Sequence, residues 1–383
     1  MAAAMTHASA LGKGGSGSRH RFMSQSRIAA QLNGHAPDAA LPAQEAGAAG
    51  GRHGLLDHPT MMAATKGCVF IKAVGQSLGL PARTIGTAQL LAHRVHIFQA
   101  SPPGSSTDIA TACLLVAAKM EETIKRVHEI LAHSYVLTTQ PGAGAASADA
   151  GQVAIAGAIV NKMRPSVLAA EQFVMEAIGF DFRTAHPHLL YVKLAKLAGL
   201  APGPRRGSKQ TTAAAGWTIL SDAFFTTLPV QYPPAVLAAG ALCLAWYLDC
   251  ELPAAAAPFI LEALSLGPAA EGGSSGSNSN GTTDWQSREQ PRSLDLAADG
   301  WWTAFGVATK DMRGFVRQAV DFYLLFFSSA IATPAYMEQH ESGLPSKDMA
   351  QRIGQWRMWL DDMVAAPGPE NESRPDSGDV ALQ

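Results

Sequence analysis

Apolar residues recur along this chain at steps of three and four, and strand-like alternation is absent, so nearly every ordered segment reads as an amphipathic or buried helix. The fold class expected is all-α. Val69, Ile71, Val74 and Leu78 set one helix over Thr65–Leu78, and Pro81 stands where the next, Ala82 to about Phe98, places its first residue. Pro102-Pro103-Gly104 then breaks the chain. Ser105-x-x-Asp108 has the form of a capping box opening a helix whose run Ile109–Ala118 is uncharged and apolar on every side. Such a helix belongs at the centre of a bundle. Its end is different: Lys119, Glu121, Glu122, Lys125 and Arg126 follow in quick succession. Thr123 is expected to open a further helix with Ile124, Val127, Ile130 and Leu131 inward. Another is expected from about Pro165 to Ile178, with Val167, Leu168, Phe173, Val174 and Ile178 apolar and Gly179 as its stop.

The second half repeats the theme. Ala239–Leu248, AGALCLAWYL, can be laid on Thr111–Met120, TACLLVAAKM, with small and apolar residues at matching places. The other helices there are expected at His186–Leu197, about Lys209–Thr226, Trp301–Phe305 and Met312–Phe327. Two successive five-helix bundles around Ala-rich central helices are the simplest architecture.

Composition adds what surrounds them. Of 383 residues, 47% are hydrophobic, enough for one or two cores. Residues 1–55 hold almost no large apolar residue and are expected to be a disordered tail; Arg19, Arg21 and Arg27, with no acid before Asp38, leave an organelle transit peptide as the alternative. Low-complexity loops are expected at 140–151, 202–207 and 267–280, and a polar tail over 331–383. The net charge of −2 argues against binding a polyanion, so neither direct nucleic-acid nor membrane-surface binding is expected. No uncharged apolar run reaches the roughly 20 residues of a bilayer span. The four cysteines, Cys68, Cys113, Cys243 and Cys250, lie in apolar runs without CxxC spacing, which suits reduced core thiols in an intracellular protein. His93 with His96, and His186 with His188, have no ligand-spaced Cys, Asp or Glu beside them, so no metal site is expected. Gly12–Ser18 lacks the order of a phosphate loop, and no GxSxG, HExxH or GxGxxG word supports catalysis or a cofactor.

Several ordered words carry a resemblance. ACLLVAAKMEETIKRVHEIL, EQFVMEAIGFDF, LGLPARTIGTAQLLAHRVHIF and HPHLLYVKLAKLAGL, with the late WWTAFGV, resemble the cyclin family over about Asp57–Phe327. KMEE, HPH and WxxxFG are most similar to transcription and RNA-processing cyclins, L-type first and K- and T-type next. The resemblance implies two tandem cyclin boxes, 57–183 and 184–330, the first binding a kinase. It implies a nuclear regulatory subunit that forms a heterodimer with a cyclin-dependent kinase in RNA polymerase II transcription or RNA processing, and is not itself an enzyme. Lys119 and Glu171 match the residues that grip the kinase's C-helix region, and Met175, Phe180 and Phe182 match the apolar positions beside them; Glu122 is the weakest member of the set. The bland alternatives stay open: a solvated helix end at Lys119, core positions at Met175 and Phe180, and an exposed i,i+4 pair between Glu122 and Arg126. A cyclin-fold binding module without a kinase, of the TFIIB type or divergent, is the competing function.

Overall fold

The computed structural model describes residues 22–33, 55, 58–99, 104–123, 125–139, 157–200, 212–249, 294–296, 298, 300–327 and 345–355. Every regular element among them is helical. The first unit consists of α2 (Pro59–Ser77), α3 (Ala82–Phe98), α4 (Ser106–Met120), α5 (Val127–Thr139) and α6 (Gly157–Ala177), preceded by α1 (Gln25–Asn33). The second consists of α7 (His188–Leu197), α8 (Thr212–Asp222) with a 3-10 turn Ala223–Phe225, α9 (Leu228–Gln231), α10 (Pro234–Asp249), a 3-10 turn Trp301–Phe305, α11 (Thr309–Phe326) and α12 (residues 347–355).

The apolar run Ile109–Ala118 is buried throughout and α4 is packed on by α2, α3, α5 and α6. Ser105 caps it as the sequence indicates, its hydroxyl accepting from Asp108 N at 3.0 Å. α10 repeats the arrangement: residues 236–245 are all buried, and α7, α8 and α11 pack around it. Small residues let these helices meet closely. A Cβ on Gly240 would sit 2.2 Å from Phe315 Cδ1, so α10 and α11 approach at a distance only glycine permits.

Several boundaries differ from expectation, each for a local reason. α2 begins at Pro59 rather than Thr65, because His58 supplies an N-cap through Nδ1 to Thr60 N and Pro59 fits the first turn. α5 begins at Val127, not Thr123, because Glu122 takes φ +52 and turns the chain; Ile124 lies outside the described residues. α6 begins at Gly157 and carries Pro165 within it, so Pro165 does not open the helix, and Leu168 faces solvent rather than the core. Trp301–Phe305 is a 3-10 turn between Gly300 and Gly306, both at φ +72, which leaves too few residues for an α-helix.

The N-terminal segment expected to lack structure contains α1. Ile28 and Leu32 are buried against Met61, Leu90, Ile97 and Val230, and Met23 N donates to Val230 O at 3.0 Å. α1 therefore touches both units, and its stability derives from that long-range packing rather than from its polar sequence. Replacing Ile28 by Ala is expected to cost about 2–4 kcal/mol of local stability and to release the α1 amides to hydrogen exchange while the rest of the chain stays protected. Within the C-terminal tail, α12 places Met349 and Ile353 in the main core, so residues 345–355 belong to the folded body.

The two units share one core, and buried polar contacts stitch them together. Thr65 Oγ1 donates to Phe225 O at 3.0 Å, and His93 Nε2 lies 3.1 Å from Phe224 O. A carbonyl only accepts, so Nε2 carries the proton. Burial drives the His93 pKa down to about 4, with the Phe224 bond opposing it weakly. The folded value thus lies below the unfolded one, near 6.5, and the neutral form is the folded form. Its contribution is complete above pH ~6.5 and is lost as pH falls toward 4, a change of about 3 kcal/mol. Denaturant melts of His93→Gln are expected to show a shallower loss of stability between pH 7 and 5 than the parent chain.

Candidate partner-binding site

The end of α4 and the C-terminal half of α6 lie side by side, and the turns that stop them form the candidate site. After Met120 the chain reverses through Glu121 and Glu122: Glu122 N donates to Lys119 O at 3.3 Å and Thr123 N to Ala118 O at 2.9 Å. This is a Schellman cap with a glutamate in the left-handed position. α6 stops the same way. Gly179, at φ +61, donates to Glu176 O at 3.0 Å, and Phe180 N donates to Met175 O at 3.0 Å.

Phe180 then takes φ +56 itself. A bulky side chain in the left-handed region costs about 1–2 kcal/mol, and here the conformation holds a phenyl ring in water, 60% exposed. Phe182 is 42% exposed and meets Phe180 edge to face, with centroids 6.3 Å apart. Arg94 pins this segment from α3, its guanidinium donating to the carbonyls of Asp181 at 3.2 Å and Arg183 at 3.4 Å. Arg183 forks onto the Asp181 carboxylate at 2.7 and 3.0 Å, and this hydrogen bonding holds the Asp181 pKa below its usual range. The rings are therefore presented on a fixed backbone. Residues 179–183 line a shallow depression between them.

Beside the rings, Lys119 donates to Glu171 Oε1. The glutamate is buried while the lysine side chain remains 62% exposed, so the pair is anchored on α6 and reaches the surface on the lysine side. Met175, one turn beyond Glu171, is partly buried against the core. Lys119, Glu171, Met175, Phe180 and Phe182 are thus carried by one helix end and the adjoining helix and turn. Phe180 is not a core residue. Glu122 is exposed at the α4 turn and forms no ion pair with Arg126, because the helix that would put them one turn apart is interrupted between Met120 and Val127.

Glu121 has a different task, which the run of charges concealed. Its side chain is buried and accepts from Arg83 Nε at 2.5 Å, Thr87 Oγ1 at 2.7 Å, His186 Nε2 at 3.0 Å and Thr184 Oγ1 at 3.5 Å. Burial would raise its pKa, but the Thr87 hydrogen bond and the charges of His186 and Arg83 outweigh it and keep the value low. Glu121 fastens the linker after α6 to α3. The only sequence signal for it was a carboxylate next to an apolar helix, followed 65 residues later by the HPH word.

Residues 60–143 match the family described as the Transcription factor TFIIB repeat. The chain is 32% identical over 184 residues to the CTD kinase subunit beta of Schizosaccharomyces pombe, covering 48% of this chain and 51% of that protein. It is 29% identical over 187 residues to Cyclin-T1-4 of Arabidopsis thaliana, covering 49% of this chain and 32% of that one. The chain thus spans about half the length of these curated relatives, or less. Among solved structures, a chain of the crystal structure of the yeast RNA Pol II CTD kinase CTDK-1 complex superposes with a TM-score of 0.52 over 93% of this chain and 92% of that one, at 16% identity, a likeness of fold. In sequence the chain is similar to a CTD kinase subunit and to a T-type cyclin, and in fold to a chain of a CTD kinase complex.

Proposed function

We propose that this chain is the regulatory cyclin subunit of a cyclin-dependent kinase acting in RNA polymerase II transcription or RNA processing, and that it works in the nucleus. The observation that carries the reading is Phe180, an aromatic ring held in water at the cost of backbone strain, beside Phe182 and the outward end of the Lys119–Glu171 pair. The edge-to-face contact with Phe182 leaves most of the Phe180 ring in water, and a partner that covers the rings would bury it. The likeness to a CTD kinase subunit and to a T-type cyclin names the kind of partner.

In this reading residues 57–183 form the kinase-binding box, 184–330 the second box and 331–383 a tail. Phe180, Phe182 and Met175 supply the apolar centre of the interface. Lys119 hydrogen-bonds backbone carbonyls of the kinase, held in position by Glu171, and Glu122 lies at the rim. Kinase activity requires an ordered Lys–Glu pair and activation loop, both set by the kinase's C-helix. A cyclin surface that binds the active C-helix position more tightly than the inactive one shifts the population toward activity. The catalytic groups belong to the kinase.

The match of residues 60–143 to the TFIIB repeat favours a second reading, a cyclin-fold module that binds transcription proteins without a kinase. Affinity purification of the tagged chain from its own cells, beside Lys119→Ala/Glu171→Ala, separates the two. A cyclin-dependent kinase retained by the parent and lost from the variant is the expected result. Recovery of general transcription factors without a kinase supports the second reading, and a kinase held equally by both chains removes the pair from the interface.

A further inference from the structure

α7 leaves an unusual face in solvent. Its exposed arc carries Val192, Lys196, Leu189 and Lys193, which helical geometry places within about 100° of one another. Leu189 is 70% exposed and Val192 36%. Alongside stands Trp217 of α8, 37% exposed, its indole 5.2 Å from the ring of His188. His188 lies one turn before Val192, so the indole extends the apolar stripe. The contacts beneath are fixed: His188 also stacks on Phe224 at 5.5 Å, and Tyr191 donates to Ala213 O at 2.6 Å. α7 contains no acidic residue, and neither Lys193 nor Lys196 has a carboxylate partner among the described residues.

We infer that the solvent face of α7, with Trp217 at its edge, is a docking surface for an acidic amphipathic helix of a protein partner other than the kinase. Leu, Val and Trp form the apolar centre, and Trp is the residue type that most often dominates binding energy. The two lysines at the rim select carboxylates and reject basic segments, since like charges across an interface are strongly unfavourable. The partner's apolar side chains at i, i+3 and i+4 would lie over Leu189, Val192 and Trp217, with glutamates or aspartates reaching Lys193 and Lys196.

The test uses the full chain and three fluorescein-labelled peptides of about 16 residues: an amphipathic helix with leucines on one face and glutamates elsewhere, the same helix with lysines for glutamates, and the acidic helix with its leucines replaced by serine. Fluorescence anisotropy should show binding of the first alone, weakened by salt. Leu189→Ser/Val192→Ser should lower that affinity at least about tenfold, and Lys193→Glu/Lys196→Glu should transfer the preference to the basic peptide. All four positions are exposed, so unchanged melting temperatures check that the variants fold. Equal binding of acidic and basic helices, no binding at millimolar peptide, or affinity indifferent to these variants would overturn the inference. So would self-association of the chain that Leu189→Ser/Val192→Ser abolishes, which assigns the face to a second copy. Loss of a bound kinase on the same substitutions assigns it to the kinase interface and overturns the inference equally, while loss of kinase from Lys119→Ala/Glu171→Ala alone leaves the α7 surface standing.

Discussion

Replacing Phe180 and Phe182 together by serine is expected to lower affinity for the proposed kinase partner by two to three orders of magnitude while leaving the chain's melting temperature unchanged or slightly raised. Central aromatic residues of an interface each contribute about 2 kcal/mol or more when truncated, and 1.4 kcal/mol is a factor of ten. Neither ring is part of the core, so their loss opens no cavity. Serine at position 180 also tolerates the left-handed backbone at least as well as phenylalanine does. Calorimetric titration of the purified kinase into each chain measures the first effect, and thermal melts the second. Stability lost together with binding would mean that the rings support the fold rather than a partner.

Asp222→Ala is expected to be the most destabilising single substitution considered, at about 3–5 kcal/mol and roughly 10 °C in melting temperature. The carboxylate is buried and accepts three donors from three parts of the chain: Lys72 Nζ of α2 at 3.1 Å, Tyr323 Oη of α11 at 2.8 Å and Ser346 N before α12 at 3.0 Å. Lys72 lies in addition 4.8 Å from the centre of the Phe225 ring. Burial, together with the Asp222 charge, pushes the Tyr323 phenol well above its ordinary value, so it remains a donor. Removing the acceptor leaves a phenol and a backbone N–H without their partner in a low-dielectric site, and separates the first unit, the second unit and the α12 segment at once. Differential hydrogen exchange should show the amides of residues 345–355 opening first. Asp222→Asn keeps the shape and one acceptor oxygen and should cost less than half as much. A melting temperature unaltered by Asp222→Ala would show that the shared core and the Thr65 and His93 contacts join the units without this carboxylate.

The local elements were legible from the chain itself. An uncharged run of ten residues, Ile109–Ala118, has no stable place except inside a bundle, and its echo at Ala239–Leu248 marked the second centre for the same reason. Ser105 and Gly179 marked a helix start and a helix stop because the chemistry of caps is local. The words around Lys119, Glu171 and Phe180 suggested the candidate site residues through their resemblance to a family. Burial and exposure of individual side chains were decided elsewhere. Glu121 and Glu122 are adjacent and chemically identical, yet one is buried among Arg83, Thr87 and His186 and the other faces water, because the left-handed turn at Glu122 points them in opposite directions. The helix at Gln25–Asn33 and the one at residues 347–355 have too few apolar residues to fold by themselves; each exists because a distant surface accepts two of its side chains. Trp217, Leu168 and Leu189 carry the same apolar signal as their buried neighbours, and which of them remains in water depends on what the other helices leave uncovered. Periodicity and capping act within a few residues and are written in the sequence, whereas the partner of each side chain depends on contacts far along the chain, 160 residues away for Thr65 with Phe225, and those arise only when the two units close on one core.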